Sequence, residues 1–154
     1  MGNFLEEYIE FHKAFCPDNL YNGLKQNMKT IEVVSYKDIP EIKDKVESFL
    51  KYNPAIPKHC YKNSAEMCLH IEGVEYIEGI FGLILPLGHA WNCYKGKYFD
   101  LTMECNNFTE ETLYLQLMNV EEQKLRQYLC KLKHWGGFTT YHYTGIDSPF
   151  KLGI

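Results

Sequence analysis

The dipeptide Lys95-Gly96 constrains this chain more than any other pair of residues. It separates two segments rich in strand formers, HAWNCY (89–94) and KYFDLTM (97–103). An x-Gly pair suits the two-residue primed turn that closes a β-hairpin. Opposed residues of an antiparallel pair share a face, and faces alternate along each strand. A Lys95-Gly96 turn therefore opposes Trp91 to Asp100 and makes His89 the diagonal neighbour of Asp100 on that face. A Tyr94-Lys95 turn would oppose His89 and Asp100 directly, and a three-residue loop would send them to opposite faces. Diagonal Cα pairs lie roughly 7–8 Å apart, within reach of an imidazole–carboxylate hydrogen bond.

Upstream of the hairpin, Cys60 stands where a helix should begin. Pro54 and Pro57 hold the preceding chain extended, since each restricts its own φ and disfavours helix in the residue before it. The run NSAEMCLHI that follows Tyr61 is rich in helix formers. A thiol at a helix N-terminus meets unpaired backbone N–H groups and the positive end of the dipole. Both favour the thiolate, with Lys58 and His59 adding positive charge. Cys60, His89 and Asp100 thus form an ordered set able to do covalent chemistry.

A cysteine opening a helix, then a strand with His, then a strand with Asp, resembles the transglutaminase-like and papain-like cysteine enzymes. The local pattern C-Y-x-N-S, Y-I-E-G, H-A-W-N, D-L-T is similar to small bacterial and phage proteins of that superfamily. The resemblance implies Cys60 as nucleophile, His89 as base and Asp100 as its orienting acid. It covers about a third of the chain. Cys60-to-His89 is shorter than in typical transglutaminases, and Leu101 stands where many relatives have Pro.

Length, 154 residues, suits a single domain spanning 1–154 with a real core. A formal charge of −4 argues against a nucleic-acid surface. The basic cluster Lys124, Arg126, Lys131 and Lys133 reads as the solvated face of one helix. The start MGNFLEEYIEF lacks a signal-peptide pattern. Gly2 invites a myristoylation check, but Glu6 holds the place where Ser or Thr is expected. The longest apolar run, Ile80 to Leu87, is too short to span a bilayer. The expectation is a cytoplasmic protein without a membrane partner, its six cysteines (16, 60, 68, 93, 105 and 130) free thiols.

The elements expected in order begin with an amphipathic helix over 4–15, with Phe4, Tyr8, Phe11 and Phe15 at helical spacing. A turn-rich loop, DNLYNGLKQN, precedes a strand over 30–36. A helix N-capped by Asp38 then runs to about Tyr52. After the Cys60 helix, stopped at Glu72-Gly73, come a strand over 74–81, a connection over 82–88 and the hairpin. Thr109-Glu110-Glu111 could start a helix, but a strand at about 112–119 is favoured. A helix over 121–135 ends at Gly136-Gly137, and a last strand covers 138–143. The fold class is α+β, an antiparallel sheet packed against helices; the papain-like/transglutaminase-like core is what the resemblance implies.

Supporting candidates surround the three. Asn53 could line the site as an oxyanion donor. Asn63 either caps its helix or donates to substrate. Glu78 could face His89 if the 82–88 connection is long, and Trp91 covers the His–Asp pair from water. Free cysteines usually behave as small hydrophobes, the default for the other five. C-x₂-C, H-x₃-H and HExxH spacings are absent, as are GxGxxG and Walker A runs, so neither metal nor cofactor is expected. The expected function is cysteine-dependent acyl transfer on a peptide, protein or small amide, as an amidase, peptidase, deamidase or transglutaminase. The alternative is a binding or inhibitory protein that keeps the fold without turnover.

Overall fold

The computed structural model describes residues 3–82, 84–106 and 112–147. Five antiparallel strands form one sheet in the order β1-β5-β2-β3-β4: β1 (Lys29–Ile31), β2 (Val74–Gly82), β3 (Leu87–Tyr94), β4 (Lys97–Phe99) and β5 (Leu113–Val120). The sheet curls until its two edges meet. Val33, just past β1, bridges to Tyr98 of β4, and the Val34 amide donates to the Tyr98 carbonyl at 2.8 Å. Around it lie α1 (Phe4–Phe11), α2 (Asp18–Asn27), α3 (Pro40–Tyr52), α4 (Cys60–His70), α5 (Leu101–Glu104), α6 (Glu122–Leu132) and α7 (Thr139–Thr144). The chain is α+β.

Strand alternation sorts the core. Ile77, Phe81, Trp91, Cys93, Tyr114 and Ile31 pack together inside the curl. Tyr76, Ala90, Met118 and Val120 point the other way and pack with Ala65 and Cys68 of α4 and Leu125 and Tyr128 of α6. Ile80, Leu115 and Leu117 receive Leu5, Ile9, Leu20 and Leu24 from α1 and α2. A β-bulge interrupts the β2–β5 register between Glu78 and Gly79. Gly79 is required there, because a Cβ would lie 2.1 Å from the Leu115 carbonyl oxygen and 2.6 Å from the Trp91 ring.

Several expected elements fold otherwise. Residues 18–27, expected as a loop, form α2, since Leu20 and Leu24 one turn apart are both fully buried and that packing outweighs weak propensity. The expected strand over 138–143 is instead α7, opened by a buried carboxylate that collects its first amides (below). The strand over 30–36 shortens to β1 and a 3-10 turn, Tyr36–Asp38. Asp38 lies in that turn, so Ile39 rather than Asp38 is the N-cap of α3. In α1 the buried stripe is Leu5 and Ile9, while Phe11 and Phe15 are exposed, and the helix tightens to 3-10 over 12–14. Gly2 and Thr109-Glu110-Glu111 lie outside the described residues. All six cysteines are free thiols, and no helix among the described residues is long and apolar enough to cross a membrane.

Candidate active site

The Lys95-Gly96 turn fixes the geometry of the site. Tyr94 pairs with Lys97 and Asn92 with Phe99, leaving a two-residue loop whose φ angles are +47° and +83°, the combination of a primed turn. In that register His89 and Asp100 share a face. Strand pairing stops at Phe99, however, and the chain turns into α5. Asp100 becomes its N-cap, and its side chain accepts from the Met103 amide at 3.3 Å. The expected extension of the strand through Leu101, Thr102 and Met103 is thereby replaced by a helix.

His89 Nε2 and Asp100 Oδ2 are 2.7 Å apart, both residues buried. The imidazole stacks flat on Phe81, with centroids 3.8 Å apart and planes 7° from parallel. Trp91, fully buried, lies 6.1 Å from the ring. Burial works against a charge on His89 more strongly than any other influence. The attraction and hydrogen bond of Asp100, joined by a hydrogen bond and charge interaction with Cys60, overcome it and hold the imidazole up at about 9. With Asp100 on Nε2, Nδ1 is the ring nitrogen left for the thiol.

Cys60 is the first residue of α4. At that position a backbone N–H has no intrahelical acceptor, because the first helical bond runs from the Asn63 amide to the His59 carbonyl. Lys58, two residues before it, has φ +65°, a left-handed bend that swings the chain into the helix. Asn63 holds this entry in place. Its Oδ1 accepts from the Ile56 amide at 3.1 Å, and its Nδ2 donates to the Ile56 carbonyl at 2.9 Å and to Thr102 Oγ1 at 3.0 Å. One side chain thus ties the loop before Cys60 to the helix after Asp100.

The other expected residues take different places. Asn53 lies exposed at the end of α3 and donates Nδ2 to the Phe49 carbonyl at 3.3 Å. Glu78 opposes Ala90, not His89, and so points to the opposite side of the sheet from the imidazole. There its buried carboxylate accepts from the amides of Gly137, Phe138 and Thr139, from Thr139 Oγ1 and from Tyr76 Oη, at 2.5–3.0 Å. Glu78 anchors α7.

Two residues of the site escaped the sequence reading. Tyr114 of β5 donates its hydroxyl to Asp100 Oδ2 at 2.8 Å, and Phe81 forms the platform under His89. Phe81 had a local signal, since Gly79 opposes His89 and Phe81 lies two residues further along the same face. Tyr114 had none. No group of three or more His, Cys, Asp or Glu able to hold a metal ion occurs among the described residues. Comparison with protein-family models, with curated proteins and with solved structures finds no match to this chain.

Proposed function

We propose that the protein is a cysteine-dependent acyl-transfer enzyme working through Cys60, His89 and Asp100, an arrangement of the transglutaminase-like and papain-like kind. The observation that carries the reading is a buried imidazole bonded to a carboxylate and close enough to a helix-opening thiol to interact with it. His89 holds the proton that Cys60 gives up, so the thiolate stands beside an imidazolium. The thiolate attacks the carbonyl carbon of an amide or ester, and the Cys60 N–H faces the oxygen as it gains charge. His89 returns the proton to the departing amine or alcohol, leaving a thioester. Water or a second amine attacks it, giving its proton to His89, and Cys60 leaves as the thiolate, restoring the starting pair. Asp100 keeps the ring in one tautomer and orientation throughout.

Thiol labelling tests this. Burial pushes the thiols of Cys16, Cys68 and Cys93 up, Cys68 to about 12, and partial desolvation with Glu104 does the same for Cys105. Iodoacetamide at pH 6–7 should therefore modify Cys60 before the exposed Cys105 and Cys130. His89→Ala should slow that modification by about tenfold or more, and Asp100→Asn by less, since it misorients the ring without removing it. Cys60→Ser should fold normally. If Cys60 labels no faster than Cys105 and His89→Ala changes nothing, the enzyme reading fails, and a binding protein on the same fold takes its place.

A further inference from the structure

We propose that Tyr114 is a positioning residue of this site, its hydroxyl fixing the Asp100 carboxylate that orients His89; the role rests on the acyl-transfer reading only for its catalytic meaning. In the strand order, β5 is separated from β4 by β2 and β3. Neighbouring strands stand about 4.8 Å apart, so three steps across a flat sheet span roughly 14 Å, beyond the reach of a tyrosine. The curl brings the two together, and the Tyr114 hydroxyl crosses the interior to Asp100 Oδ2 at 2.8 Å.

The oxygen it meets is the one that takes His89 Nε2. Oδ1 is held by the Met103 amide. Both carboxylate oxygens are thus anchored, from α5 and from β5, and the carboxylate cannot rotate away from the imidazole. A buried tyrosine hydroxyl needs an acceptor in any case, and that alone would be a packing role. The difference is electrical. Two donors on Oδ2 share its negative charge, so the Tyr114 hydroxyl limits how strongly Asp100 favours the imidazolium. The titratable groups facing the ring are Asp100 from the start of α5, Cys60 from α4 and Tyr114 from β5, with the uncharged Phe81 and Trp91 completing its surround.

Tyr114→Phe removes the donor and keeps the ring that packs on Phe81 and Trp91. Titration of His89 in the full-length protein by nitrogen-15 NMR should show its midpoint rise by about 0.5 pH unit or more. In an Asp100→Asn background the same substitution should leave the midpoint where it is, the non-additivity expected of two groups acting through one carboxylate. An unmoved midpoint in a folded Tyr114→Phe protein would overturn the proposal, as would an equal shift with and without Asp100. A midpoint that moves while native Cys60 shows no His89-dependent labelling leaves Tyr114 positioning the imidazole and removes the acyl-transfer reading. The converse, reactive Cys60 with an unmoved midpoint, removes Tyr114 alone.

Discussion

His89 carries opposing demands in one ring. It lies 4% exposed, where a charge is costly, yet Asp100 and Cys60 together keep its proton on up to about 9. The sign of the consequence follows from comparing that value with about 6.5 in the unfolded chain. The folded state binds the proton more tightly, so the stabilisation is fully present below about pH 6.5 and disappears as pH rises through 9. A gap of about 2.5 units corresponds to about 3 kcal/mol. Denaturant unfolding of the native protein and of His89→Gln, compared at pH 6 and pH 9.5, should show the native advantage shrink by about that amount. An advantage constant across the range would mean that folding leaves the affinity of the imidazole for its proton unchanged.

Three elements converge on the site, and Asn63 is where two of them are joined. The loop 54–59 and the helix α5 have no backbone pairing with each other to fix their spacing; the Asn63 amide supplies it through Ile56 and Thr102. Asn63→Ala should cost about 1–3 kcal/mol, because it leaves the part-buried Ile56 backbone groups and the buried Thr102 hydroxyl without these partners. Urea midpoints and amide exchange at Ile56 measure it. A loss below about 0.5 kcal/mol with exchange unchanged would show that solvent replaces the amide without penalty. The hairpin behaves differently as an element. Its turn chemistry is local, which is why the register of β3 and β4 could be read from Lys95-Gly96 and is found as read.

Across the whole molecule, Glu78 ties the end of the described chain to the central strand. Its carboxylate gathers three successive amides at the start of α7 and two hydroxyls, a set of donors suited to an anion and not to an amide group. Glu78→Gln would turn an NH₂ toward those donors. The expected cost is about 2–4 kcal/mol, with faster amide exchange at Phe138 and Thr139. Unchanged exchange there would mean that α7 is held by Phe138 and Tyr143 packing alone.

The sequence by itself determined what depends on neighbours in the chain. Prolines and helix formers around Cys60 define the start of α4, and a two-residue turn puts His89 and Asp100 on one face. The α+β class follows from the same alternation and periodicity. Tertiary structure decided whatever depends on residues far apart. TTYHYT has the composition of a strand, yet it is a helix because Glu78, about sixty residues earlier, supplies its N-terminal acceptor. DNLYNGLKQN has weak helix formers, yet two leucines buried against α1 and the sheet hold it helical. Tyr114 reaches Asp100 only because the sheet curls far enough for Val33 to meet Tyr98. Curl is a sum of twist, bulge and packing over five strands, and no window of the chain contains it.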